Sequence, residues 1–479
     1  MRYLAIMVPM VMAACAAPNV NHPKLSVTPQ KNWPSVKGTS SDSLWWTGFK
    51  DPTLNALILE AQENNTNLRA AATRVHAAAA QAKMAGAPLS PQISARLSGS
   101  RRKQSFIGFP LAGAGAGVAS STSNSFGVSL DVSWELDLWG RLGAARAAAL
   151  SDFQAAKAEH SGAKLSLAAQ TAKAWFAAIE ALRQKELALA TVENFRTSSE
   201  LVSVRYERGL RPALDLRLSL STLATAEANS EQRRMLLNKA VRQLEIMLGR
   251  YPSAELAPSE SLPVVPDGIP SGIPGSLVSR RPDLVAAERR LAASLARTKQ
   301  AKRALYPRIS LTSSVGTSSA DLNNLLTGDY SVWNLASNLI QPLLQGGRIR
   351  GAIDLAGAQD QQSLALYIHS VLNAYAEVES ALSAEEFLRR REASLEIAAE
   401  QSMAARRLAE SRYARGLSDL ITMLDSQRRA YESESQLIAV RRQRLENRID
   451  LHLALGGGYR GISAAQTSTH NPKYGVDVQ

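Results

Sequence analysis

Four tracts of the chain alternate between apolar and polar residues. The clearest, FGVSLDVSWE at 126–135, has an apolar side chain at every second position, with Gly, Ser, Asp or Glu between. Weaker alternation begins at Ile93 and at Ile309, and the tract around 333–341 is the least regular. A period of two is typical of β-strands that have one apolar and one polar face. We therefore predict four strands, at about 91–106, 124–137, 306–319 and 329–343.

Long stretches after these tracts have the periodicity of helices. No proline occurs between Arg141 and Pro212 or between Pro342 and Pro472. From Leu165 the apolar positions recur in steps of three and four, which is the spacing of coiled coils. The pattern predicts a very long helix in each region, the first of about 65 residues and roughly 100 Å. No run reaches the roughly 18 apolar residues that a membrane-spanning helix needs.

One helix-ending phrase is written twice. RYERGL stands at 205–210 and RYARGL at 412–417, and the same offset of 207 carries Leu248-Gly249 onto Leu455-Gly456. Upstream the offset becomes 216, and the difference is absorbed by a Gly-rich insertion at about 108–117, which suits a surface loop. The chain is therefore an internal duplication. Each repeat is predicted to run helix, strand, loop, strand, very long helix, turn and helix.

The repeated phrase predicts a hairpin tip in each repeat. Gly209 and Gly416 suit the left-handed position that ends a helix. Pro212 in the first copy, and Ser418 or Asp419 in the second, suit the start of the next helix. We expect the tips near 205–215 and 412–422, at the far ends of two long antiparallel helical pairs.

The start of the chain has the features of a targeting segment. Arg2 supplies a positive charge, residues 3–12 are apolar, and Ala13-Ala14-Cys15 is a small-residue cleavage site. Cys15 is the only cysteine, and it could be an incidental residue of a signal peptide. The phrase MAAC, however, resembles the bacterial lipoprotein box, which implies that Cys15 is lipidated. Ala16, in place of the Asp that retains such lipoproteins in the inner membrane, implies sorting to the outer membrane.

Composition completes the predicted domain organisation. Prolines among Ser, Asn and Lys predict an extended tether before residue 43, and a Pro-rich and Gly-rich stretch at 252–275 predicts a linker between the repeats. The predicted parts are a signal peptide (1–14), a lipidated tether (15–42), the first repeat (43–250), a linker (251–276), the second repeat (277–456) and a C-terminal tail (457–479).

Two structures would account for the four strands. A soluble antiparallel sheet with one buried face gives this alternation, and so does a membrane barrel, in which lipid-facing apolar residues alternate with lumen-facing polar ones. The lipoprotein-like start favours the barrel. Four strands cannot close, and open edges are not tolerated in lipid, so the chain would have to oligomerise. Two copies give eight strands with a filled interior, whereas three give twelve and begin to leave a lumen.

The chemistry of an enzyme or of a nucleic-acid-binding protein is not indicated. The six histidines lie far apart without metal-ligand spacing, no phosphate-binding loop is present, and the glycine run at 456–458 follows a helix and suits a C-terminal cap. We expect no catalytic, cofactor or metal site. The formal charge of +13 comes from Arg residues dispersed along helices, which is typical of solvated faces rather than of a nucleic-acid site.

Five phrases give the chain a family resemblance. They are SLWWTGFKDPTLNALI at 43–58, SWELDLWGRL at 133–142, IPGSLVSRRPDLVAAERRLAAS at 273–294, QGGRIRGA at 345–352 and RYARGLSDLITMLDSQR at 412–428. The chain resembles the TolC/OprM-like outer-membrane efflux channels, most closely their lipoprotein branch. The resemblance implies an α+β membrane protein that forms a homotrimer, with four strands per chain in a twelve-stranded transmembrane barrel and a long helical barrel in the periplasm.

The resemblance also implies function and partners. Such a channel is a passive conduit in the outer membrane of a Gram-negative bacterium, anchored there by its lipid and extending into the periplasm. It carries small molecules such as drugs from an inner-membrane RND-type transporter, to which a periplasmic adaptor protein docks it. The alternative is a lipid-anchored periplasmic coiled-coil adaptor or scaffold whose strands form a soluble sheet, because long helices and hairpin tips suit that class as well.

A periplasmic gate is implied just after the second hairpin tip. The family pattern there maps onto Ile421, Asp425 and Arg428, whose spacing of four and three places them on one helix face. Asp215 matches a tip carboxylate of some relatives. Leu218 stands at the position in the first repeat that corresponds to Asp425, so the two hairpins are not equal gates. The alternative for these charges is a solvated helix surface with ordinary pairing inside the helix.

Overall fold

The computed structural model describes residues 44–107, 118–266, 268 and 280–457. The predicted signal peptide, the tether with Cys15, the Gly-rich loop at 108–117 and nearly all of the C-terminal tail lie outside the described residues. Within the described part, no helix has both the length and the apolar composition to cross a membrane.

The described elements alternate between helices and strands in the order of a duplicated chain. The α-helices are α1 (Pro52–Asn64), α2 (Thr66–Gly86), α3 (Arg141–Glu207), α4 (Ala213–Met247), α5 (Pro282–Arg303), α6 (Arg348–Ala414) and α7 (Leu420–Ala454). The strands are β1 (Gln92–Phe106), β2 (Ala119–Leu136), β3 (Arg308–Ser319) and β4 (Ser331–Ile340). The long helices α3 and α6 each have 67 residues, and α4 and α7 each have 35, so the two repeats match in the length of their long helices.

The strands form one antiparallel sheet in the order β1-β2-β3-β4. The hairpin of β1 and β2 is longer than the alternating pattern indicates, because β2 begins at Ala119 and pairs with Phe106 there. Its first residues are mostly Ser, Thr and Asn, which carry no apolar alternation and so gave no signal in the sequence. The hairpin of β1 and β2 extends beyond the end of β3, whose last residue, Ser319, pairs with Phe126. The β4 strand is shorter than the pattern suggested and ends at Ile340.

The chain divides into two compact units that do not coincide with the two repeats. One contains Val75–Ala156 and Ala287–Leu366, and hence the whole sheet; the other contains the described residues up to Arg74, Lys157–Ala286 and those from Tyr367 onward. Both repeats contribute to each unit. The sheet, for example, takes two strands from each repeat.

In the sheet-containing unit, polar contacts join α5 to its neighbours. Arg297 of α5 forms an ion pair with Asp152 of α3. Ser294 donates to the Asp360 carboxylate at 3.0 Å, and Thr298 donates to the Ala356 carbonyl of α6 at 3.1 Å. The segments of three helices are thus held together on this side by side-chain hydrogen bonds.

The other unit has an aromatic and aliphatic core built around α3. Trp175 is fully buried, and its indole N–H donates to Asp51 at 2.7 Å. The same Asp51 caps α1 by accepting from Leu54 N at 3.0 Å. Five helices and the segment before α1 supply the remaining core, which includes Trp45, Trp46, Phe49, Leu54, Ile58, Leu68, Phe176, Ile179, Leu244, Leu248, Leu445 and Ile449.

The predicted linker between the repeats is ordered over its described part. Residues 251–266 form no helix or strand, and Leu256, Leu262 and Val265 pack against the core of this unit. Buried Glu245 of α4 accepts the backbone N–H groups of 254, 255 and 256, at 2.8, 3.0 and 3.1 Å. Burial opposes ionisation of this carboxyl, but the three N–H groups outweigh it, and the pKa of Glu245 is lowered.

Candidate functional site

The strand register sorts the sheet into an apolar face and a polar face. Residues that pair across neighbouring strands form a row and point to the same face of the sheet. Leu130, for example, pairs with Ala95 of β1 and Val315 of β3. The apolar face consists of Ile93, Ala95, Leu97, Phe126, Val128, Leu130, Val132, Trp134, Leu136, Ile309, Leu311, Val315, Trp333, Leu335 and Leu339, with Gly99, Ser313, Thr317, Ser319 and Ser337 among them. The alternation predicted from the sequence therefore runs coherently across all four strands.

The opposite face is polar and carries the ion pair of the sheet. Arg96 lies 3.3 Å from the Asp131 carboxylate on the neighbouring strand. Most other residues of this face are Ser, Thr, Asn or Gly, as in the row that joins Ser98, Gly127 and Ser318, although β4 adds Val332. Such a surface is suited to water rather than to hydrocarbon.

The apolar face is open in the single chain. Leu97, Trp333 and Leu335 are 77%, 79% and 70% exposed, and the strands β1 and β4 are free edges of the sheet. Exposed apolar surfaces of this extent mark membrane or protein contacts. A soluble sheet would bury one of its faces, whereas all of β1 and nearly all of β4 are exposed in the single chain.

Each long helix ends in the same hydrogen-bonded turn. At the first tip, Gly209 N donates to Tyr206 O and Leu210 N donates to Arg205 O, both at 2.8 Å. At the second, Gly416 and Leu417 make the corresponding bonds at 3.0 and 2.9 Å. These are Schellman turns, and they require the left-handed φ of 71° and 77° that the two glycines adopt. Nothing lies within 4 Å of where a side chain would project from either glycine, so both tips are open.

The two tips are joined by an arginine that the sequence reasoning did not single out. Arg205 donates to the carbonyls of Tyr413 and Ala414, at 3.0 and 2.6 Å, at the C-terminus of α6. Its guanidinium lies 5.0 Å from the Tyr413 ring, and that of Arg211 lies 5.2 Å from it. The Tyr413 side chain is fully buried, whereas Tyr206 at the matching place in the first repeat is exposed. The duplicated Arg-Tyr pair was the sequence signal for this contact. The sequence could not show that one tyrosine is buried and the other exposed.

The predicted gate residues lie on the solvent-exposed side of α7 in the single chain. Ile421 is 66% exposed. Asp425 accepts from Arg428 and from Arg429, each at 2.7 Å, and Arg428 also lies 3.5 Å from Glu432. Hydrogen bonds from Arg429 and then Arg428 lower the pKa of Asp425. The single chain therefore shows a half-buried carboxylate held between two arginines of its own helix, and Arg429 joins the residues singled out from the sequence.

Asp215 lies in the first turn of α4 and has an ion-pair partner of its own. Arg211 is its ion-pair partner, at 3.8 Å. In the described part of the chain, no hydrogen bond or ion pair joins Asp215 to Asp425 or Arg428.

The inward face of α7 carries a buried polar cluster. Gln427 is fully buried and donates to Ser198 of α3 and to Glu410 of α6, at 3.0 and 2.9 Å. Asn194 donates to Glu410 at 3.2 Å and also to the Tyr431 hydroxyl. This part of α7 thus has the Asp425 ion pairs on its solvent-exposed side. Its buried side has hydrogen bonds to α3 and α6.

Comparisons with known proteins identify the family of the chain. The family model of the outer membrane efflux protein matches residues 57–250 and 273–457, which are the two repeats. The chain belongs to the outer membrane efflux protein family.

Its relatives include outer membrane protein OprJ of Pseudomonas aeruginosa, 33% identical over 464 residues, with 95% of each chain covered. The pyoverdine export outer membrane protein OpmQ of Pseudomonas putida is 32% identical over 470 residues, covering 94% of this chain and 96% of the relative. Among solved structures, the outer-membrane channel OprN has a TM-score of 0.84 at 28% identity, covering 93% of this chain and 99% of that one. The open state of the MtrE outer membrane channel of Neisseria gonorrhoeae has a TM-score of 0.79 at 29% identity, covering 94% and 100%.

Family membership confirms the main expectations from the sequence. This member of the outer membrane efflux protein family is mostly helical, is duplicated, and contributes a four-stranded sheet. Its function is that of an efflux channel of the outer membrane.

Proposed function

We propose that three copies of the chain form a passive conduit through the outer membrane. The observation that carries this proposal is the open sheet, with an exposed apolar face on one side and two free edges. Unpaired strand edges are costly in hydrocarbon, and joining β1 of one copy to β4 of the next removes them. Three copies contribute twelve strands, and the polar face with Arg96 and Asp131 then lines a lumen.

The helical part of the proposed channel reaches into the periplasm and meets its partners at the tips. We propose a periplasmic adaptor protein there, and beyond it an inner-membrane RND-type transporter that supplies small molecules. Exposed apolar side chains at both tips support this, because Leu210 and Leu417 are 68% and 62% exposed beside the glycine turns. The names of relatives such as the pyoverdine export protein describe those proteins and leave the cargo of this chain open.

The lipid anchor and the domain boundaries belong to the proposal as well. MAAC at 12–15 supports cleavage before Cys15 and lipidation of its thiol, with residues 1–14 as signal peptide and 15–42 as tether. The repeats at 43–250 and 277–456, the linker at 251–276 and the tail at 457–479 follow from the duplication and the composition.

The proposed gate uses Ile421, Asp425 and Arg428 of each subunit, with Asp215 as a neighbouring tip carboxylate. In a threefold ring, Ile421 narrows the passage and Asp425 discourages anions. The exposure of Ile421 and of the Asp425 ion pairs supports this, because side chains on an uncovered helix face are available to the other subunits. Opening then requires the helices of the tips to move apart, for which binding of the adaptor is the proposed cause.

The test is conductance in planar lipid bilayers. Asp425→Ala is expected to raise single-channel conductance several-fold, because it removes the carboxylate that holds Arg428 and Arg429. Glu386→Ala is the matched control, since Glu386 of α6 accepts from Arg389 and Arg390 with the same spacing and lies far from the tip in sequence. Equal conductance in Asp425→Ala, Glu386→Ala and the unchanged protein would refute the gate.

A further inference from the structure

Two cations follow the apolar residues on the same face of β1. Odd-numbered residues of this strand share the apolar face, so Leu97 and Gly99 are followed there by Arg101 and Lys103. Arg101 pairs with Asn124 and Lys103 with Thr122, both polar, and the whole of β1 is exposed. The face therefore changes from apolar to cationic within one row.

These cations have no carboxylate near them in sequence. From Leu97 to Leu130 the chain has three cations and no Asp or Glu. Among the described residues no ion pair involves Arg101 or Lys103, whereas Arg96 on the polar face pairs with Asp131. The two side chains are thus free to bind an external anion.

Their height on the sheet places them at a membrane surface. The apolar rows begin at Leu136 and end at Phe126, which pairs with Gly99. Ten steps at about 3.4 Å give roughly 34 Å along the strand. At the usual tilt of about 35–45° this rises about 24–28 Å, close to the apolar band of about 25 Å on membrane strands. Arg101 comes two residues after Gly99, directly outside that band.

The topology decides which surface this is. The α-helices that adjoin the sheet in sequence connect at the end marked by Gln92 and Leu136, and β1 and β3 run from that end toward Phe106 and Ser319. With the helices on the periplasmic side, as in the proposed function, Arg101 and Lys103 face the outer leaflet. The headgroups of that leaflet in a Gram-negative bacterium are phosphorylated glycolipids.

We propose that Arg101 and Lys103 bind the phosphate groups of lipopolysaccharide in the outer leaflet. Arg101 can bind a phosphate with two parallel hydrogen bonds, and Lys103 supplies a second charge two residues further out. A trimer repeats the pair three times around its circumference. This inference rests on the proposed orientation of the sheet in the membrane.

The experiment measures binding of purified protein, in zwitterionic detergent, to bisphosphorylated lipid A and to its dephosphorylated form by native mass spectrometry. Arg101→Ser and Lys103→Ser are each expected to weaken binding of bisphosphorylated lipid A about fivefold, the effect of one cation near an anionic surface. Arg102→Ser is the matched control. Arg102 pairs with Ser123 on the polar face, and its substitution removes the same charge from the protein. It is expected to change binding less than twofold.

The outcomes separate this inference from its alternatives. Equal losses in Arg101→Ser, Lys103→Ser and Arg102→Ser would overturn it, as would equal losses for the two forms of lipid A. Dissociation of Arg101→Ser into monomers in the absence of lipid would also overturn it, because the cation would then pair with a neighbouring subunit, for example at Asp321 or Asp329. Conductance of the unchanged protein is recorded in parallel: a channel that conducts without preferring phosphorylated lipid refutes this inference alone, and a protein that neither conducts nor trimerises refutes the proposed function.

Discussion

At the scale of single residues, two glycines of the sheet have different reasons to be there. A methyl group on Gly316 would lie 2.0 Å from the Val128 carbonyl oxygen and 2.7 Å from the Ser129 Cα, and neither backbone atom can move without breaking the ladder. A methyl group on Gly127 would meet the Ser98 hydroxyl at 3.1 Å, at the end of a side chain that can rotate. Of these two positions, only that of Gly316 requires glycine because of the closely approaching backbone.

We expect Gly316→Ala to destabilise the assembled sheet by about 1–3 kcal/mol or more, the usual cost of forcing a methyl group into a packed site. The measurement is the temperature at which the detergent-solubilised oligomer dissociates, together with the yield of protein in the outer membrane. Gly127→Ala is the control and should resemble the unchanged protein. Equal behaviour of the two variants would show that the strands separate at Gly316 at little cost.

At the scale of elements, the helices α3, α4, α6 and α7 end in similar glycine turns but have different N-terminal caps. Asp419 caps α7 by accepting from the Thr422 backbone at 2.8 Å, and this hydrogen bond is the main reason why the pKa of Asp419 is lowered. The helix after the other tip, α4, has Pro212 as its N-cap residue and no side-chain cap. The end of α4 has another role, because Glu245 there fixes the segment between the repeats, including Ala254 with its left-handed φ of 65°.

Glu245→Gln is expected to lower the stability of the folded chain at pH 7 by about 1–3 kcal/mol, the cost of poorly satisfied buried hydrogen-bonding groups. The folded-state pKa of Glu245 lies below its ordinary value of 4.5, so its stabilisation is present above that value and is lost as the pH falls through the folded-state pKa. The difference in melting temperature between variant and unchanged protein should therefore be full at pH 7 and should close in acid.

The control for this prediction is Glu231→Gln on the same helix, whose carboxylate is exposed and pairs with Arg234. It should leave the melting temperature nearly unchanged across the same pH range. A difference in melting temperature between Glu245→Gln and the unchanged protein that does not shrink as the pH is lowered from 7 into the acid range would contradict the role given to the ionised carboxylate.

At the scale of the whole molecule, two separate features attach the proposed channel to the membrane. One is the exposed apolar face of the sheet, and the other is the lipid proposed at Cys15. Burying apolar surface contributes about 25 cal/mol per Å². A sheet face with many exposed large side chains therefore contributes more free energy of membrane attachment than one lipid anchor. The channel and the scaffold alternative therefore differ in what happens when the anchor is removed.

We expect Cys15→Ala, exported behind the signal peptide of a non-lipidated protein, to remain in the outer membrane as a trimer and to need detergent for extraction. The measurements are retention in membranes after an alkaline wash and the mass of the detergent-solubilised particle. The control is the same protein with Cys15 intact. Release of Cys15→Ala as a soluble monomer would support the lipid-anchored scaffold and refute the channel.

The sequence by itself determined the repeating parts of this protein. Alternation in 126–135 specifies a strand with two unlike faces, and the Gly209 and Gly416 phrases specify where the long helices end, because both signals depend on the local periodicity and dihedral preferences of the chain. The Ser-rich start of β2 escaped prediction, since its pairing with β1 has no apolar pattern.

Only the tertiary structure decided how the parts meet. It placed Arg205 against Tyr413 of the other repeat and gave Asp425 two arginine partners, and it put Arg101 on the apolar side of the sheet and Arg102 on the polar side. The physical reason is that such relations depend on register and on contacts between residues distant in sequence. Local propensities carry no record of either.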